Sequence, residues 1–280
     1  MSYKILFCLL TTFLVLIHAS SLVASPDEIS EKTAEQSQAI SPEVLFTTLL
    51  VNAEKGQPQD MINVGYLYER GIGVTKNFTK ALRWYEKAAQ AGEPEGYHRL
   101  GLCYESGLGT AVDLAKAVDD FQKASEMGSI SAKYKLASYY LLGTYLPKDE
   151  TKGMALLINA AEGGNSNAAN ELAAVYLKGL FGQKADPVKA NEWFTKSAEA
   201  GNLQGIKNLA VMLKDGLGAK EPSPTEALRW YLVLWKAGDN SPALNKMISD
   251  LREGISEKQA NQADLDAEKW LKASRERLVR

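Results

Sequence analysis

With 280 residues, 45% of them hydrophobic and 24% charged, the chain has the make-up of a folded protein that can bury a core. Its formal net charge is −2 and its Lys and Arg residues are spread along the chain, so nothing in it forms a basic footprint for nucleic acid. Of its two cysteines, Cys8 lies in an N-terminal apolar run, which leaves Cys103 alone in a processed chain with no internal disulfide. No CxxC or His-rich spacing points to a metal, and no cofactor is expected.

Residues 1–25 carry Lys4, an apolar run from Ile5 to Ile17 and then small residues, the order of regions in a secretory signal. That run is short against the roughly 20 residues of a membrane span. Cleavage is expected after Ala24, with Ser21 as a rival site and an uncleaved signal anchor as the competing reading. Residues 26–41 are polar and acidic-leaning, and read as a flexible lead-in. Ser41 and Pro42 then supply an N-cap and a proline at the first helical position, opening the helix EVLFTTLLVNAEKG.

From residue 64 the chain begins to repeat itself. VGYLYERGIGVTKNFTKALRWYEKAAQAG, residues 64–92, is followed from Leu100 by LGLCYESGLGTAVDLAKAVDDFQKASEMG, and the layout returns at Leu136, Leu172 and Leu209. Gly92, Gly128, Gly164, Gly201 and Gly238 mark a period of 36 or 37 residues, and Gly56 stands 36 before Gly92. A fixed period of this size signals stacked helical units. The copies fall near 59–94, 95–130, 131–166, 167–203 and 204–239, each with a helix A (about 59–70 in the first) and a helix B (about 78–91). The segment from Ser41 to Gly56 resembles helix B of a half-repeat and would cover the N-terminal end.

Within each unit the residue types have separable roles. Asn77, Asp113, Asp149, Asp186 and Ser223 hold the N-cap position of helix B in the five copies. Helix A ends in Gly71-x-Gly73, Gly107-x-Gly109 and Gly216-x-Gly218; copy four has Gly179 and Gly182, and copy three puts Tyr145 at the second site, so its turn should differ. The longer period of the last two copies arises in this loop, while the joint between repeats keeps its length. Gly65, Gly101, Ala137, Ala173 and Ala210 would let helix A approach its neighbours, with Tyr68, Trp84, Tyr85, Phe121, Trp193, Phe194, Trp230 and Tyr231 filling the space between helices. Cys103 reads as a small buried hydrophobe. Residues 240–280 lose the repeat: a helix from Ser241-Pro242, then Ser256 and Gln259 in capping-box spacing and a last amphipathic helix, form a C-terminal helical cap.

The consensus AxxxLGxxYxxGxGVxxxxxKAxxWYxKAAxxG resembles the Sel-1-like repeat family, a relative of the tetratricopeptide repeat, over residues 42–239. Copies three and four depart at the Gly-x-Gly turn, and copy three has Leu156-Leu157 for the Trp-Tyr pair. The resemblance implies an all-α, right-handed α-solenoid of about five and a half helix-turn-helix repeats. It also implies an exported adaptor or scaffold for a protein or peptide partner, since bacterial members are often exported. By analogy with related repeats, helix A lines the concave face. Its candidate contacts are Ile62, His98, Tyr134, Asn170 and Lys207, with Tyr66, Leu102, Ser138, Ala174 and Val211. No catalytic residue is nominated: one cysteine and one histidine remain after processing, and no Ser-x-x-Lys arrangement is present. The competing readings are a β-lactamase-like hydrolase and a structural assembly factor of an envelope complex. If the N-terminal reading holds, sequencing of the protein recovered from cells starts near residues 22–26; an intact Met1 in the soluble cytoplasm contradicts export.

Overall fold

The structure is a computed structural model that describes residues 41–279, so the expected signal segment and most of the expected lead-in lie outside the described residues. The described residues form thirteen α-helices and no strand, in two compact units that meet in sequence between Met127 and Gly128. The first unit holds α1 (Pro42–Glu54), α2 (Pro58–Arg70), α3 (Phe78–Gln90), α4 (Pro94–Ser106) and α5 (Leu114–Glu126). The second holds α6 (Ile130–Leu142), α7 (Glu150–Glu162), α8 (Ser166–Lys178), α9 (Pro187–Glu199), α10 (Leu203–Asp215), α11 (Pro224–Lys236), α12 (Pro242–Glu253) and α13 (Glu257–Val279). Copies one and two are α2–α3 and α4–α5; copies three, four and five are α6–α7, α8–α9 and α10–α11.

Four of the five expected helix B caps form. The side-chain oxygens of Asn77, Asp113, Asp149 and Asp186 accept the backbone N–H three residues on at 2.9–3.0 Å. Ser223 does not: it holds the cap position, but α11 starts on Pro224 without a side-chain bond. A serine hydroxyl sits on a shorter stem than an Asx oxygen, and where serine caps elsewhere, at Ser41, Ser129 and Ser241, the contact is stretched to 3.3–3.4 Å. Helix A has caps that the helix B pattern does not announce. Ser129, Asn165 and Asn202 cap α6, α8 and α10, whereas α2 and α4 start on Pro58 and Pro94 with no side-chain cap. The capping box before α13 closes in both directions, Ser256 N–H to Gln259 Oε1 at 3.0 Å and Gln259 N–H to Ser256 Oγ at 3.4 Å.

The Gly-x-Gly turn does more than end helix A. Its first glycine caps every helix A in the left-handed conformation, from Gly71 at φ 73° to Gly216 at φ 69°. The second is also left-handed, at φ 65° for Gly73 and 74° for Gly109, and it is pressed against another helix. A Cβ on Gly73 would collide with the carbonyl oxygen of Pro42, and one on Gly109 with that of Phe78. Both carbonyls belong to the first residue of the preceding helix B, and Gly218 meets Pro187 in the same way. Copies three and four lack this seat. Tyr145 has no left-handed backbone and packs edge-on against Tyr139, ring centroids 4.8 Å apart. Gly182 is left-handed at φ 73° with nothing within 4 Å of a notional Cβ, and Phe181 before it is itself left-handed at φ 51°.

Side chains lock each pair. A Cβ on Gly65 would lie 2.5 Å from the Tyr85 ring, and one on Gly101 2.7 Å from Phe121, so the small residues admit the aromatics of helix B. Tyr85 and Phe121 are fully buried, as are Phe194 and Tyr231, while Trp193 is only half-buried. The Lys of each helix B start sits over the Tyr of its helix A: Lys80 over Tyr68 at 5.3 Å, Lys116 over Tyr104 at 5.2 Å, Lys152 over Tyr140 at 4.4 Å and Lys189 over Tyr176 at 5.2 Å. Copy five replaces both partners, with Leu213 and Glu226. In the first unit, Phe46 of α1 packs edge-on against Tyr68 at 5.2 Å, so the half-repeat covers α2. In the second, Ala260, Ala263 and Ala267 of α13 enter the core of copy five and Trp270 meets Trp230 edge-on at 5.4 Å.

Seating a turn glycine against backbone should be measurable. Gly109→Ala adds left-handed strain and a backbone collision and should cost about 2–4 kcal/mol, whereas Gly182→Ala meets only the strain, about 1–2 kcal/mol. Urea unfolding of both variants checks this; equal losses would remove the role of the seat.

Candidate partner-binding face

In the second unit, the first helices of copies three, four and five present one polar face. Asn167, Asn170, Glu171 and Ala174 fall at i, i+3, i+4 and i+7 of α8 and so share one side of it. Towards α6, Glu171 Oε1 accepts the Tyr134 hydroxyl at 2.5 Å, and Ser138 Oγ donates to the Tyr134 carbonyl at 3.4 Å. Towards α10, Asn170 Oδ1 accepts from Asn208 Nδ2 at 2.9 Å, Asn208 Oδ1 from Gln204 at 2.9 Å, and Asn167 Oδ1 from Asn202 at 2.6 Å. Burial, then the Glu171 bond, pushes the Tyr134 hydroxyl above the usual phenol range, so it remains a donor. Between α6 and α8 the face opens into a hollow of about 240 Å³, with Leu141, Leu157, Ala174 and Val175 among its walls.

The nominated residues of the second unit thus lie on connected ground. Tyr134, Ser138 and Asn170 take part in these bonds, Ala174 lines the hollow, Lys207 is exposed one residue before Asn208, and Val211 is half-buried. In the first unit the outcome is mixed. Tyr66 is half-buried with the guanidinium groups of Arg70 and Arg99 5.5 and 5.8 Å from its ring centre, and Leu102 is half-buried. His98 is tied down, its Nδ1 3.3 Å from Glu95 and its ring 5.8 Å from that of Phe121. Ile62 corrects the nomination: at 1% exposure it is a core residue and has no surface to offer. Its position on α2 turns inward with Met61 and Val64, because copy one buries more of helix A than the others do.

Two further groups bear on chemistry. Burial opposes ionisation of Glu95, but His98 and Arg99 outweigh it and hold the carboxyl below its usual range, with Arg99 Nε at 2.7 Å. The Cys103 thiol is buried and pushed up to about 12, chiefly by desolvation and then by Glu69, so it is protonated at neutral pH and a poor nucleophile. Among the described residues, no three His, Cys, Asp or Glu side chains gather as they would around a metal ion, and no helix is long and apolar enough to cross a membrane.

The sequence reading missed Asn167, Glu171, Gln204 and Asn208. Asn167, Gln204 and Asn208 belong to a run of amides in copies four and five with Glu171 among them, and copy one carries Gln59 and Asn63 at the positions of Gln204 and Asn208.

Tandem helix pairs joined by a left-handed glycine turn, with a variable face on their first helices, define an α-solenoid of helical repeats. The chain belongs to the Sel1 repeat family, whose model matches residues 58–93, 94–129, 130–165, 166–202 and 204–232. A Sel1 repeat protein from Oxalobacter formigenes is similar in structure at a TM-score of 0.66 and 26% identity, over 84% of this chain and 94% of that one. A protective antigen present in uropathogenic Escherichia coli strains, with an SLR fold, gives 0.50 and 21% over 85% and 66%. The Pseudomonas aeruginosa protein 5086 gives 0.51 and 20% over 85% and 76%. These last two show the fold alone. No curated protein matches the chain in sequence. Sel1 repeat proteins are generally protein-interaction scaffolds, and their fold is typically non-enzymatic.

If the Tyr134–Glu171 bond ties α6 to α8, Tyr134→Phe should cost about 1 kcal/mol, and a double-mutant cycle with Glu171→Gln should show coupling of about the same size. Strictly additive losses in thermal melts would show that the bond contributes nothing to holding the face together.

Proposed function

We propose that this chain is an exported adaptor that binds a protein or peptide partner on the face made by its first helices. One observation carries the reading. Along α6, α8 and α10, the positions that packing does not dictate hold Tyr134, Ser138, Asn170, Glu171 and Asn208, joined by hydrogen bonds, with Lys207 exposed beside Asn208. The residues common to the repeats are spent on caps, turns and core, which leaves this face as the part that differs from copy to copy. The amides on it offer donors and acceptors together, the pattern that a partner's main chain needs. The order of Lys4, an apolar run and small residues supports export.

Crosslinking and mass spectrometry of the protein in its native cell, followed by pull-down from the envelope fraction, test both parts. A partner crosslinked through Lys207, and lost when Asn170 and Asn208 are both changed to Ala, is the expected result. A partner joined only through helix B lysines, or one indifferent to the double change, would show that another surface is used. Turnover of a β-lactam by the purified protein would overturn the adaptor reading itself.

A further inference from the structure

The hollow beside Glu171 identifies the kind of partner segment this face is shaped for. We propose that it receives one large apolar side chain of an extended protein segment, and that an adjacent Lys or Arg of that segment pairs with Glu171. The proposal rests on the adaptor reading and refines it.

Size separates the occupants. At about 240 Å³ the hollow is smaller than the roughly 300–1,000 Å³ of small-molecule sites, and it suits a single side chain better than a cofactor. Its walls are aliphatic and aromatic, and Ser138 and Glu171 are its polar members. At its edge Leu142 is 65% and Leu180 41% exposed, a water-facing apolar rim that a seated side chain would cover.

The hollow has an identifiable cause in the sequence. Copy four inserts one residue into its turn, giving Gly179-Leu-Phe-Gly182, and the turn leaves the seat that Gly73, Gly109 and Gly218 occupy. Phe181 accepts a left-handed backbone there and lines the hollow with Leu180. Phe181 is therefore placed by the departure from the repeat, while Leu180 holds the position of Leu108 and Leu217 in the regular turns.

Charge selects the neighbour of the anchoring residue. Glu171 accepts the Tyr134 hydroxyl and, among the described residues, forms no ion pair with Lys or Arg. A carboxylate held in place by one neutral donor keeps lone pairs for a cation, and an incoming ammonium or guanidinium group makes a charge-assisted bond. An acidic segment would meet repulsion at the same point. On the same side of α8, towards α10, the Asn170–Asn208 pair offers amide groups to the main chain of such a segment.

The purified protein is panned against a random-peptide phage library, and the selected peptides are measured against four variants. Ala174→Trp fills the hollow, Leu180→Glu puts a charge on its exposed rim without touching the core, Glu171→Lys reverses the selecting charge, and Asn208→Ala alters the face outside the hollow. Circular dichroism melts establish that each variant folds, and Leu180→Glu tests the hollow on its own if Ala174→Trp does not fold. The expected peptides share a large apolar residue beside Lys or Arg, lose about tenfold or more in affinity on Ala174→Trp and Leu180→Glu, and give way to acidic peptides on Glu171→Lys. Peptides weakened by Asn208→Ala but unmoved by the two hollow variants overturn the hollow and leave the adaptor face standing. Apolar peptides with no basic residue, and no change of preference on Glu171→Lys, overturn the role of Glu171. No enriched peptide, or binding indifferent to all four changes, overturns the hollow together with the face.

Discussion

Much of the repeat geometry rests on one close approach, that of the second turn glycine to the first carbonyl of the preceding helix B. At Gly73, Gly109 and Gly218 the backbone is left-handed and space for a Cβ is missing, so two independent restrictions fall on one atom. The contact fixes the end of one helix A against the start of the helix B before it. Small residues at Gly65 and Gly101 then let the Tyr85 and Phe121 rings in, and the capping Asx residues start helix B at a fixed point.

Around that contact, the repeated residues act in pairs. The Lys at the start of helix B makes sense only with the Tyr of helix A beneath it, and copy five, which lacks one, also lacks the other. Copy four illustrates the opposite case, where a local rule is broken without a matching change nearby. Its extra residue puts Phe181 into a conformation that side chains avoid, and the strain sits beside the hollow on this face. A strained residue beside an open apolar site is where binding and stability are most readily at odds.

The fold was legible because its signals are local and repeated. An Asx cap, a glycine turn and a small residue opposite an aromatic ring each act within one unit, and repetition turns weak preferences into a pattern. Less legible was anything set by the details of one copy. Ser223 occupies the cap position and makes no bond, since sequence alone does not reveal how far its hydroxyl must reach. Ile62 shares its phase with Asn170 yet is buried, because the inward stripe is wider on α2 than on α8. Glu171 and Asn208 went unnoticed since their partners lie 37 and 38 residues away, and only neighbouring helices bring them together.

The uniform helix length has a metric consequence. Every helix from α1 to α11 has 13 residues, so each first helix presents a strip about 20 Å long. First helices of successive copies touch only sparsely, so they lie further apart than the about 8–10 Å of packed helices. An extended chain advancing about 3.3 Å per residue therefore needs more than three residues to pass from one to the next. A segment bound as proposed would meet equivalent points of successive repeats at intervals of more than three residues. On that proposal the second unit would space its partner's residues, and Glu171 and Asn208 hold equivalent positions of adjacent copies.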